Sequence, residues 1–257
     1  MRVIPDIPYG PLPHQALDLA LPDLPRAVVV YAHGGGFAKG SRKEETFADL
    51  VARLCPLGIA VASVSYRLGG GLVDMEPSDR PAMRRMVAAS AAAGLRLNAR
   101  LYGPAFAMAL FDLGRAVSAL KSGALVSALT GLPVTLLGMS AGGIAALSLA
   151  HPPKVWAGRL TRPDAVLAVS AAMVQPWRLR PGGPPCVMLH GGIDRIIPPD
   201  DARLAARVAQ EMGADLRVMF TETSGHVPQL TRLLHGTAPD GRPALSLLTD
   251  LVARTLL

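Results

Sequence analysis

Aromatic side chains are scarce in this sequence, at 4 % of 257 residues. A nucleic-acid surface wants aromatics interleaved with a basic stripe. Here the arginines behind the net charge of +7 are scattered, with only small groupings at Arg84-Arg85 and Arg178/Arg180. No nucleic-acid partner is therefore expected, and the charge serves solubility with a weak pull on anionic substrates. Cysteine is nearly absent: Cys55 and Cys186 each sit in or beside an apolar run, which reads as two buried thiols rather than a disulfide framework. Long apolar runs are missing too. Gly, Pro or Arg interrupts each one before it could span a bilayer, so no stable membrane insertion is expected. The first residues, Met1-Arg-Val-Ile-Pro-Asp-Ile-Pro8, lack the basic, apolar, small-residue order of a signal peptide, and a cytoplasmic location is expected. His14, His33 and His151 have no paired ligand spacing, so no metal site is expected.

What the chain does have is apolar mass, 50 % of its residues, enough for a sizeable core. Buried-strand runs occur at Ala27–Ala32, Ile59–Ser65, Pro133–Met139, Asp164–Val169, Pro185–Leu189 and Asp215–Phe220. Helical spacing falls between them, at Glu44–Leu54, Phe106–Lys121, Ile144–Ala150 and Asp200–Met212, with a closing helix at Pro243–Leu257. Residues 1–26 carry six prolines around one short alternating edge strand, His14–Leu21. The alternation predicts an α/β fold, a mostly parallel sheet with helices on both faces, in one domain over residues 1–257. One connection is too long. Residues 69–106 open on Gly69-Gly-Gly71 and run through an Ala/Met/Arg-rich helical stretch, an insertion that reads as a lid over a site or as an external or oligomer-forming decoration. A homodimer contact there is left open.

The chain is organised around Pro133-Val-Thr-Leu-Leu-Gly-Met-Ser-Ala-Gly-Gly143. Gly138-Met-Ser140-Ala-Gly142 is a G-x-S-x-G between a strand and a helix, the context that raises a serine hydroxyl above a sheet on a sharp turn. A serine needs a base within hydrogen-bond reach, and the base needs an orienting group. Asp194, in His190-Gly-Gly-Ile-Asp194, follows one strand, and His226, in Ser224-Gly-His226, follows the last. The chain order Ser140, Asp194, His226 is the one expected of such a turn. His235 is an alternative base, and Asp200, Asp201 or Glu222 are alternative acids, although Asp200 and Asp201 read as caps of the helix after them. His33-Gly34-Gly35-Gly36 ends an earlier strand, and its glycines let main-chain amides turn toward a developing oxyanion.

These motifs resemble the α/β-hydrolase family, in particular HGGG-type serine esterases related to hormone-sensitive-lipase-like carboxylesterases. The resemblance runs from Leu17–Pro22 through His33–Ser41 and Ser65–Leu68 to the serine turn, Asp194 and His226, and breaks at residues 69–106. It implies Ser140 as nucleophile, His226 as base and then acid, Asp194 as orienter, and Gly35, Gly36 and Ala141 as oxyanion donors. It implies no cofactor, and a small-molecule ester as the partner. Met139 stands where the lipase-like branch usually has Asp, and the Asp194 setting is closer to broader carboxylesterases, formamidases and related peptidases. An arylformamidase-like amidase, a carbohydrate acetyl esterase and a ligand-binding receptor on the same scaffold are the rival expectations. Phe37, Met139, Met83 and Met86 are the candidate substrate-facing residues, with Leu95, Leu97 and Leu101. Core packing is the other reading of the insertion's side chains.

Overall fold

The structure, a computed structural model, describes residues 1–222 and 224–257. Eight strands form one sheet: β1 (Arg2–Pro8), β2 (Ala16–Leu21), β3 (Ala27–Ala32), β4 (Ile59–Val64), β5 (Val134–Met139), β6 (Ala165–Val169), β7 (Cys186–Gly191) and β8 (Leu216–Thr221). Their order is β1-β2-β4-β3-β5-β6-β7-β8. β1 and β2 pair antiparallel, β2 meets β4 antiparallel, and every later pairing is parallel. The expected α/β-hydrolase fold is what the chain adopts.

Strand periodicity builds two cores. Val28, Val30 and Ala32 point into one, while Ala27, Val29 and Tyr31 point into the other. The first is covered by α2 (Arg80–Ala92), α3 (Pro104–Lys121), α4 (Ala141–Ala150) and α5 (Pro199–Met212). The second is covered by α1 (Glu45–Leu54), α6 (Pro228–His235) and α7 (Ser246–Arg254). Strands buried on both faces explain why the central runs are continuously apolar rather than alternating.

β1 lies where the proline content argued against a strand. It is an edge strand, where a missing N–H is tolerated. Its register shifts between Ile4 and Ile7 around Asp6, which adopts φ 56°, with Pro5 inside the bulge. The Asp6 carboxylate is paired with Arg42 and Lys43. The closing helix is shorter than its pattern, Ser246–Arg254.

The insertion packs on the first core rather than standing off it. Asp79 accepts from Trp156 Nε1 at 2.9 Å and from Arg159 at 2.7 Å. Ser90 Oγ donates to the Val174 carbonyl at 2.7 Å. The Asp201 carboxylate accepts the Arg96 and Leu97 amides at 2.7 and 2.8 Å. Asp200 and Asp201 therefore do not cap α5, as the sequence suggested. They lie in its first turn and face the insertion, because Pro198 and Pro199 already set the helix entry.

Candidate active site

Each element of the site leaves the carboxyl end of a strand. β5 delivers Ser140 at φ 53° and ψ −116°, between a strand ladder and a helix. Its amide still bonds the Val169 carbonyl at 2.8 Å, while its carbonyl accepts the Ile144 amide at 2.9 Å, so one residue both ends β5 and starts α4. The turn closes so tightly that a Cβ on Gly138 would lie 2.5 Å from the Gly142 backbone, and one on Gly142 would lie 2.2 Å from the Ala32 carbonyl oxygen. Glycine is required at both positions.

The Ser140 hydroxyl lies 2.9 Å from Nε2 of His226, and Nδ1 of His226 lies 2.7 Å from Oδ2 of Asp194. Asp194 is buried, and its other oxygen accepts the Ile196 and Ile197 amides at 2.8 and 3.0 Å. Burial alone would push the Asp194 carboxyl up. The His226 imidazole and the two amides outweigh it and hold the group below the usual carboxylate range. An ionised carboxylate takes the Nδ1–H, which leaves the Nε2 lone pair for the serine proton. His190, fully buried, lies 3.8 Å from Asp194 and faces the Ile197 carbonyl at 3.1 Å; burial pushes its pKa down, so it stays neutral.

The alternative partners are elsewhere. His235, on α6, is exposed and paired with Asp49 at 3.1 Å. Asp200 pairs with Arg96 and Arg203, Asp201 is committed to the insertion, and Glu222 is exposed.

The loop after β3 is held from below. His33 stacks on Tyr66 with ring centroids 4.3 Å apart, and Tyr66 Oη donates to the His33 carbonyl at 2.6 Å. His33 Nδ1 faces the Gly34 carbonyl at 2.7 Å, and burial pushes the ring toward neutrality. Gly35 and Gly36 adopt φ 107° and 64°. A Cβ on Gly35 would strike the Lys39 carbonyl oxygen at 2.0 Å. Among the described residues, the amides of Gly35, Gly36 and Ala141 have no acceptor within the chain. Ala141 opens α4, where main-chain N–H groups are unpaired by construction.

The candidate substrate-facing residues divide. Phe37, at φ 60°, turns inward and packs edge-on against Tyr66 and Phe106. Met139 packs beside Gly34 on the second core. Met83 is 1 % exposed, and Met86 places its sulfur against the Gln175 amide, so both are seen in core packing. Of the other insertion leucines, Leu101 comes near the glycine loop, 3.9 Å from where a Gly36 Cβ would be. A hollow of about 330 Å³ between Gln15, Arg67, Met108, Phe111 and Arg159 is lined by none of the three clustered side chains. The described residues hold no group of three or more His, Cys, Asp or Glu fit for a metal ion, and no helix long and apolar enough to cross a membrane.

Sequence reasoning missed Ser170. It follows β6 at φ 48°, fully buried, and its Oγ donates to the His226 carbonyl at 2.8 Å. Nothing in Val169-Ser-Ala-Ala172 marks it, because the signal is a backbone angle and a partner 56 residues away.

No protein-family model and no curated protein matches the sequence. Solved structures do match in fold. Thermogutta terrifontis esterase 2, phosphonylated by cyclosarin, is 16 % identical at a TM-score of 0.65, over 98 % of this chain and 91 % of that one. The same esterase with butyrate bound is 16 % identical at 0.64, over 94 % and 88 %. A truncated carbohydrate esterase from gut microbiota is 13 % identical at 0.70, over 100 % and 96 %. At these identities the likeness establishes the fold and leaves the chemistry to be argued from the side chains.

Proposed function

We propose that this protein is a serine hydrolase that cleaves small to medium carboxylic esters through an acyl-enzyme. The observation that carries this reading is the continuous chain from Ser140 Oγ to His226 to Asp194, at 2.9 and 2.7 Å, with the serine held on a strained turn. In the first step Oγ bonds to the ester carbonyl carbon and its proton passes to Nε2. The carbonyl electrons move onto oxygen, and we assign the amides of Gly35, Gly36 and Ala141, which lack an acceptor among the described residues, as the donors that receive that charge. Collapse breaks the bond to the alcohol, which leaves with the Nε2 proton. Water then repeats the sequence and releases the acid. The glycine loop and the complete proton chain favour turnover over a purely ligand-binding role, which needs neither. Structural neighbours named as esterases, one of them holding butyrate, support the ester class and a short acyl group.

A carbohydrate acetyl ester is the second reading, favoured by the carbohydrate esterase neighbour at TM-score 0.70. An N-formyl amide substrate would use the same groups. Turnover of a p-nitrophenyl acyl series, an acetylated sugar and N-formylkynurenine ranks the three. Labelling by a fluorophosphonate should be complete and should vanish in Ser140→Ala. Labelling that survives Ser140→Ala, or hydrolysis unchanged by it, would overturn the proposal.

A further inference from the structure

We propose that Ser170 is a positioning residue for the His226 imidazole, acting through the His226 main chain; the inference rests on the esterase reading above. A non-glycine residue at φ 48° is held against its own preference, so something must be gained by serine there. Glycine would adopt that angle without strain, yet it has no hydroxyl. The hydroxyl has one described partner, the His226 carbonyl at 2.8 Å; the serine is fully buried and the bond is half-buried.

The His226 segment has few other ties. A Cβ at Gly225 would meet nothing within 4 Å, and Val227 is largely exposed. Apart from the His226 ring contacts to Ser140 and Asp194, other described polar contacts of the segment fall on neighbours, among them Gln229 Nε2 to the Gly225 carbonyl at 3.2 Å and the Ile193 amide to the Ser224 carbonyl at 3.3 Å. Ser170 is therefore the described side chain that fixes the carbonyl of the histidine residue itself. It is also anchored well. Its amide bonds the Leu189 carbonyl at 2.9 Å, and the preceding residue's carbonyl, Val169, takes the Ser140 amide at 2.8 Å. The last residue of β6 and the one after it thus touch the serine turn and the histidine loop. They set the distance over which the proton moves.

Comparison of Ser170→Gly with Ser170→Ala in the full chain separates positioning from folding. With p-nitrophenyl butyrate, Ser170→Gly should lower kcat about 10- to 100-fold, the scale of a misplaced catalytic group. KM should stay within about twofold, and Tm should be equal or higher because the turn relaxes. Ser170→Ala, which keeps the strain, should match the kcat loss. In a His226→Ala background, Ser170→Gly should leave the fluorophosphonate labelling rate unchanged, since the hydroxyl acts through that imidazole. Ser170→Gly with kcat within about twofold of the parent, or an equal further loss on the His226→Ala background, would overturn the assignment. If Ser140→Ala and His226→Ala abolish hydrolysis while Ser170→Gly does not lower kcat, only this inference fails. If hydrolysis survives both, the esterase reading fails and this one falls with it.

Discussion

Asp194 and Asp201 stand at the two ends of one short stretch, and each buried carboxylate accepts two main-chain amides. Their proton affinities move in opposite directions. Burial raises the Asp201 carboxyl, helped by Asp200 beside it, and the Arg96 and Leu97 amides do not offset the rise. Asp194 also faces burial, yet the His226 imidazole, with the Ile196 and Ile197 amides, brings it below the usual range. Amide acceptance alone therefore does not offset burial at Asp201, whereas amides together with a facing imidazole do so at Asp194. One aspartate is suited to orient a proton carrier, and the other ties the insertion to the body.

That contrast breaks most sharply if the first carboxylate is neutralised in place. Asp194→Asn should lower kcat about 10,000-fold, through the wrong histidine tautomer, with the fold retained. Steady-state kinetics with circular dichroism check it, and a loss under about tenfold would remove Asp194 from its role. Asp201→Ala should act on stability instead, costing about 3 kcal/mol in urea unfolding because the insertion's amides lose a buried acceptor. Hydrogen exchange should quicken at Arg96 and Leu97 before the sheet responds, and unchanged protection there would show that the insertion is held otherwise.

The two acids should also leave opposite marks on stability against pH. Asp194 has a folded pKa below its unfolded value of 3.8, so its contribution is complete above 3.8 and is lost as pH falls through the folded value. Asp201 has a folded pKa above 3.8, so its contribution is present below 3.8 and is lost as pH rises through the folded value. Urea midpoints across pH 2 to 7 should show Asp201→Asn gaining on the parent with rising pH, and Asp194→Asn losing ground. Curves that run parallel would refute the contrast. The smallest effect belongs to the exposed Arg96–Asp200 pair, where Asp200→Ala should cost no more than about 0.5 kcal/mol.

The serine turn was legible because its requirements are local: glycines at 138, 142 and 143, a buried run before them and a helix after. Asp194 and His226 could be ordered because each follows a strand, and parallel strands bring their carboxyl ends to one rim. Asp201 and Ser170 were not legible in the same way. Their partners are main-chain atoms 104, 105 and 56 residues distant, and a main-chain acceptor or donor leaves no residue type to read. The bulged first strand was missed for a different reason, since proline counts against strands in general and only its place at the sheet's margin excuses it.

That margin also bears on strand addition at the sheet's first edge. An open strand invites a second chain to extend the sheet, and long flat edges lead to fibres. Here an incoming backbone would find a proline without an N–H, a kink where the spacing no longer matches, and charged groups already engaged with each other. This edge is therefore a poor template for strand addition by a second chain.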